Sequence, residues 1–242
     1  MAINFFHQCF RRLGNIDREF LPYKVQNEKK PTFWKYISAL KLILYNQIIV
    51  GLVVLTGFYK LGEIRGLGYE KELPSAFVMI RDIIVCIIVE EIGFYYTHRL
   101  FHHPHFYKYV HKTHHEWTAP VSITSIYCHP LEHAVSNLFP VLLGPLICGS
   151  HVMTVWIWAG MAVLSTTFSH SGYHFPFQPS PEAHDYHHKV FNECFGVLGW
   201  LDTFHDTNKT FRKSVHYSRH YTSATIVPIK LIHPDEKEKK EQ

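Results

Sequence analysis

HKTHH, residues 111–115, places three imidazoles within five positions, and it is one of four such groups. HRLFH contributes His98 and His102, with His103 adjoining. HSGYH contributes His170 and His174, and HDYHH contributes His184, His187 and His188. The spacings are three and four throughout, and on an α-helix such positions share a face. Each group therefore aims two or three ring nitrogens at one point. Neutral imidazole is a ligand for iron, zinc and copper. A single structural zinc takes four ligands, usually with cysteine, so ten imidazoles are too many for one ion. Two ions with about five histidines each would use them all. A histidine pH sensor does not explain the repeated helical spacing. No Glu-x-x-His pair of the soluble carboxylate di-iron type occurs. An all-nitrogen dinuclear site under a membrane bundle suggests iron that activates dioxygen against an apolar C–H bond. Spacing alone leaves zinc open.

Histidine is also the compositional anomaly of the chain, at 20 of 242 residues. Lys and Arg number 24 against 20 Asp and Glu, a balance of +4 that is too weak to argue for nucleic acid. The five cysteines (Cys9, Cys86, Cys128, Cys148, Cys194) are scattered and odd in number, which argues against a disulfide framework. Mean hydropathy is −0.06, which does not separate a soluble protein from a membrane protein with a polar cap. The N-terminus lacks the pattern of a cleaved signal peptide.

The elements that must carry the histidines are apolar runs. Residues 36–59 and 76–99 are long enough to cross a bilayer, while 134–148 and 152–168 are shorter and are separated only by Gly149, Ser150 and His151. The second run holds Arg81, Asp82, Glu90 and Glu91, which in a membrane helix would face the protein interior or a wet cavity. The first 36 residues hold seven Lys/Arg. The 60–75 linker holds three, offset by Glu63, Glu70 and Glu72. The basic bias puts the N-terminus in the cytosol, and four crossings return the C-terminus there. The expected fold class is all-α: an integral membrane helical bundle, about four membrane segments in two hairpins, with a cytosolic histidine-lined helical cap. Residues 1–36 read as a leader and 37–242 as one membrane domain ending in a charged tail, 233–242.

Outside the ligand spacing, His129 and Glu132 in CHPLEH, and Glu91 seven residues before His98, are candidates to orient a ligand imidazole through its other nitrogen. Local capping is the competing role for His129. Trp117, Trp156, Trp158 and Trp200 are expected as interfacial anchors.

The stretches EEIGFYYTHRLFHHPHFYKYVHKTHHEWTAP, CHPLEHAVSNLFPVLLGPL, SHSGYHFP and HDYHHKVFNECFGVLGWLD resemble the fatty acid hydroxylase/sterol desaturase superfamily of membrane di-iron enzymes, on the branch that holds the C-4 methylsterol oxidases. The similarity runs from about Glu90 to about Arg219. One departure is Asp206 in LDTFHDTN, where similar chains carry glycine. The resemblance implies two iron ions held by His98, His102, His111, His114, His115, His170, His174, His184, His187 and His188, with O₂ as oxidant. It implies electrons from NAD(P)H through cytochrome b5 and its reductase. No HPGG-like haem segment occurs, so that donor is expected to be a separate protein. A membrane lipid is the expected substrate, a sterol C-4 methyl group first and a fatty acyl or sphingoid lipid second, in the endoplasmic reticulum. Lys239 and Lys240 read as a retrieval signal for that compartment.

Overall fold

Thr32 opens the first long helix: its backbone is extended and its hydroxyl accepts from the Lys35 N–H. In this computed structural model, residues 20–26 and 31–235 are described; the leader's basic residues up to Arg18 and the Lys239–Lys240 signal lie outside them. Helix α1 runs Phe33–Arg65. A π-turn at Tyr45–Val50 interrupts it and accompanies the burial of Asn46, whose side-chain amide donates to the carbonyls of Ile126 and Cys128. Gly66, at φ 76°, closes the helix in the left-handed region. Part of the expected 60–75 linker is therefore helical. Helix α2, Ala76–Phe101, starts at Ser75, whose hydroxyl accepts from the Val78 N–H. Helix α3, Pro130–Cys148, contains a second π-stretch, His133–Leu138, and ends at Gly149, φ 64°. Helix α4 spans Val152–Ser169.

Each apolar run is thus a helix. Three of the four, α1, α3 and α4, are long and apolar enough to cross a membrane. Four short helices follow: α5 (Glu182–Val190), α6 (Trp200–Phe204), α7 (Val215–Arg219) and α8 (Ile229–Ile232). No strand occurs among the described residues; a lone bridge joins Lys24 to Tyr173.

α2 and α3 approach closely because their shared seam is built of small residues. A Cβ on Gly144 would lie 2.7 Å from the Cα of Cys86, and one on Gly93 would lie 2.9 Å from Pro140. Farther along, the hydroxyls of Thr97 and Ser136 meet at 3.0 Å. At the end of the bundle away from the histidines, Asp82 accepts from Arg81 (2.6 Å) and from Ser150 Oγ in the α3–α4 turn (2.9 Å). The outer face of α2 is apolar, with Ile84, Ile88, Ile92 and Tyr96 exposed at four-residue spacing.

The tryptophans divide. Trp156 and Trp200 are exposed, but Trp117 is buried against Ala39 and Ile43, and Trp158 is buried with its ring N–H donating to Val141 O. Trp117 and Trp158 are core residues rather than interfacial anchors. Asp206 sits at φ 56°, a left-handed position that glycine takes freely and aspartate tolerates better than most residues.

Gly144→Ala should overpack the α2–α3 seam and cost about 1–3 kcal/mol. Gly160→Ala meets nothing within 4 Å and should not lower stability. Thermal unfolding in detergent distinguishes the two; equal melting temperatures would contradict the close approach.

Candidate metal centre

His98 lies on the last turn of α2 and His102 is its C-cap. The second group is not a straight α-helix: Tyr107–His111 forms a π-turn and His114–Glu116 a 3₁₀ turn. His170 is the C-cap of α4, and α5 carries His184, His187 and His188. These side chains converge in two sets, each with its ligand nitrogens within 4.8 Å of one another: His98, His102, His111, His115 and His187; and His114, His170, His184 and His188. The sequence groups are split between the sets, so the sets adjoin. The rings of His115 and His188 are 4.8 Å apart and those of His111 and His114 5.3 Å.

The Nδ1 atoms look outward. His98 Nδ1 faces Phe195 O at 2.8 Å, His187 Nδ1 faces Glu193 O at 2.7 Å, His114 Nδ1 faces Tyr127 O at 3.2 Å and His170 Nδ1 faces Thr166 O at 2.9 Å. A carbonyl can only accept, so each of these rings donates from Nδ1 and keeps a lone pair on Nε2. His111 Nδ1 meets the carboxylate Oε1 of Glu132 at 2.8 Å.

The Nε2 atoms look inward, at each other. In the first set the separations are 3.1 Å (His98–His111), 3.0 Å (His111–His115), 3.2 Å (His115–His102) and 3.2 Å (His102–His187). In the second they are 3.3 Å (His114–His170), 2.9 Å (His170–His184) and 3.1 Å (His184–His188). Between His114 and His170 no proton is available to share, and two lone pairs meet in a dry interior. A cation resolves that conflict. Metal–imidazole bonds of about 2.0–2.1 Å put neighbouring ligand nitrogens roughly 3.0–3.4 Å apart, depending on coordination angle. The donors therefore fit metal ions. Burial pushes His114 down to about 4 and, with the charge of His114 adding, His170 down to about 3. Burial likewise holds His184, His187 and His188 well below the usual imidazole range. All are neutral at pH 7, the form a metal requires.

Of the ten histidines expected as ligands, His174 stands apart. The chain leaves the helix after His170 and turns at Gly172, φ 70°, so four-residue spacing no longer means a common face. His174 Nε2 faces Tyr221 O at 3.0 Å, and Nδ1 lies 3.5 Å from Glu182 Oε1. Glu182 Oε2 also takes the Nδ1–H of His216 at 2.7 Å. Burial would raise the Glu182 carboxyl, but hydrogen bonds and charge from His174 and His216 outweigh it and hold the group at about 2. His103 is an exposed helix cap, so His102 is the residue of HRLFH that joins the site.

Among the residues expected to orient ligands, Glu132 lies nearest to one, with its Oε1 2.8 Å from His111 Nδ1. His129 instead caps the start of α3, its Nδ1 accepting from the Leu131 N–H. Glu91 acts one step removed, on the loop whose Phe195 carbonyl holds His98: its Oε2 accepts from the N–H groups of Val197 and Leu198, both at 2.8 Å. The carbonyls of Tyr127, Thr166, Glu193 and Phe195 carry no side-chain signature and were invisible to sequence reasoning, as was Glu182. Positive φ at Phe191 (69°) and Cys194 (61°) marks the turns that supply two of them.

A sequence profile for fatty acid hydroxylase matches residues 83–207, which hold all nine converging histidines. The chain belongs to the fatty acid hydroxylase family. It is 43% identical over 201 residues to human "Fatty acid hydroxylase domain-containing protein 2", covering 83% of this chain and 60% of that protein's length. It is 31% identical over 219 residues to "Methylsterol monooxygenase 1" of Danio rerio, covering 85% of this chain and 74% of the relative. It is 33% identical over 207 residues to "Very-long-chain aldehyde decarbonylase GL1-11" of Oryza sativa subsp. indica, covering 81% and 77%. No solved structure matches.

Two predictions follow the geometry. His184→Ala should lower bound metal on the purified chain, whereas His174→Ala should leave the metal count unchanged; elemental analysis reads both, and loss of metal from His174→Ala alone would contradict the assignment. For the metal-free chain, the folded values near 4 and 3 lie below the unfolded value of about 6.5. The unfolded state thus binds more protons in that window, and stability falls as pH drops from about 6.5 towards 4. Melting of chelator-stripped protein should decline from pH 7.5 to 5. A flat profile would contradict buried neutral imidazoles.

Proposed function

We propose that the chain is a membrane-bound non-haem di-iron monooxygenase that hydroxylates an apolar lipid C–H bond, a sterol C-4 methyl group in sterol biosynthesis. The observation that carries this reading is the pair of adjoining sets of imidazoles, five and four in number, seven of them buried and two half-buried, with ring nitrogens turned inward. Bound iron would supply oxygen activation there, with dioxygen as co-substrate and electrons arriving from NAD(P)H through an external carrier such as cytochrome b5 and its reductase. His98, His102, His111, His115 and His187 would hold one ion; His114, His170, His184 and His188 the other. The chain's own part is positional. Backbone carbonyls hold the Nδ1 protons of His98, His114, His170 and His187 and so fix ring orientation. Burial keeps water away and the ligands uncharged. Apolar helices give a lipid access from the side.

α2 is read as the fourth membrane segment. Two of its acidic groups are accounted for internally, Asp82 by Arg81 and Ser150, and Glu91 by backbone N–H groups. The basic N-terminal bias supports a cytosolic cap and cytosolic termini, and the endoplasmic reticulum is the proposed membrane. The methylsterol monooxygenase relative, most of whose length is matched, supports the sterol substrate. A fatty acyl or sphingoid lipid is the second reading, favoured by the family description and by the aldehyde decarbonylase relative. Because nine ligand positions converge without a gap, a metal-binding scaffold without activity is disfavoured.

His114→Ala and His187→Ala should each abolish lipid oxidation while the protein still fractionates with membranes. Lipid profiling of cells with and without the chain is the readout. Accumulated 4-methyl sterols in its absence support the proposal; unchanged sterols with altered hydroxy-fatty acids replace it with the second reading. Full rescue by the double variant would overturn catalysis altogether.

A further inference from the structure

Residues 195–204, FGVLGWLDTF, fall in the part of the chain expected to face the cytosol. The structure lays them along α2 instead. Val197 and Leu198 donate their N–H groups to Glu91, which precedes His98 by seven residues. At about 1.5 Å per residue this is roughly 10 Å deeper in the bundle than His98. Glu91 is also fifteen residues from the start of α2, ~22 Å along it, inside the span of a hydrocarbon layer of about 30 Å.

The backbone of this stretch is not helical before Trp200, yet its N–H groups are provided for. Phe195 and Gly196 donate to Asp202 Oδ1 and Oδ2, both at 2.8 Å, and Val197 and Leu198 donate to Glu91. Two buried carboxylates thus satisfy four successive donors. A loop in water needs no such provision; non-helical backbone at membrane depth does. Gly196 permits the approach, since a Cβ there would lie 2.7 Å from Glu91 Oε1. At the far end, Tyr96 Oη meets His205 Nε2 at 2.9 Å and the Tyr95 ring stacks on His205. The large outward side chains are apolar: Phe204 is 78% exposed, Leu198 54% and Trp200 45%. The exposed Ile88, Ile92 and Tyr96 of α2 are apolar or aromatic as well.

The geometry points to residues 195–204 being a membrane-inserted loop, its apolar side chains covered by the acyl chains of the same bilayer that surrounds α2. The inference rests on the proposal that α2 crosses the membrane. It ties the lipid phase to the metal centre, because Phe195 O is the acceptor for His98 Nδ1 and the Phe195 ring lies 5.0 Å from that of His102.

Nitroxide labels test it. The full-length chain, with Cys9 and Cys148 replaced by serine, is reconstituted into phosphatidylcholine vesicles with a labelled cysteine at Leu198, Phe204, Ile88 or Lys213. Labels at Leu198 and Phe204 should relax several-fold more with oxygen than with a water-soluble nickel chelate, matching Ile88 and opposite to Lys213. If they match Lys213 while Ile88 reads apolar, the loop is aqueous and the inference fails alone. Shielding from both reagents would mean a second protein surface covers the loop, and would also overturn it. An aqueous Ile88 would overturn the crossing of α2 and the loop with it. Trp200→Phe offers an independent arm: it should reduce the emission quenched by brominated phosphatidylcholine, and an unchanged quenchable fraction would contradict insertion.

Discussion

His114 and His170 face each other through two nitrogen lone pairs, 3.3 Å apart, in an interior that burial has dried. The arrangement is repulsive on its own, and it persists because each ring is tied from behind by a hydrogen bond to a main-chain carbonyl. The same construction recurs at His98 and His187. Rigid donors held apart from water, short of protons and aimed at a common centre are what a metal ion needs and what little else would stabilise. The helices, turns and loops of this protein make sense as the apparatus that sustains that unfavourable convergence.

The apparatus is spread over distant parts of the chain. α2 and α4 end at the site and hand over His98, His102 and His170. Glu132, near the start of α3, lies against His111. The segment after α5 turns through two left-handed residues to bring the carbonyls of Glu193 and Phe195 behind ligand rings. That segment is in turn secured by carboxylates: Glu193 accepts from the N–H groups of Thr210 and Phe211, and Glu91 and Asp202 hold residues 195–198. Buried acids on this side of the molecule therefore serve backbone, and through backbone they serve imidazoles. This explains why acidic residues are so numerous in the interior of a site whose converging metal-ligand groups are all nitrogen.

What was legible in the sequence is what local spacing and composition encode. The four histidine groups and four apolar runs stand out because ligand clustering and helix burial both leave periodic marks. His174 lies apart from the two sets for the same reason that the other histidines come together. Spacing of four implies a shared face only while the helix lasts, and it ends at His170. His111 and His115 converge although their segment is a π-turn followed by a 3₁₀ turn, so there the spacing coincides with convergence without a straight helix to produce it. Carbonyl acceptors, the π-turn that inserts Asn46, and the His174–Glu182–His216 cluster depend on tertiary approach and leave no pattern in the chain.

X-ray absorption at the metal edge of the purified chain tests the central claim most directly. The account predicts a first shell dominated by nitrogen, with outer-shell scattering from four to five imidazole rings per ion, matching the two sets of side chains. A spectrum with fewer than two imidazoles per ion, the shell filled by carboxylate or solvent oxygen, would contradict it.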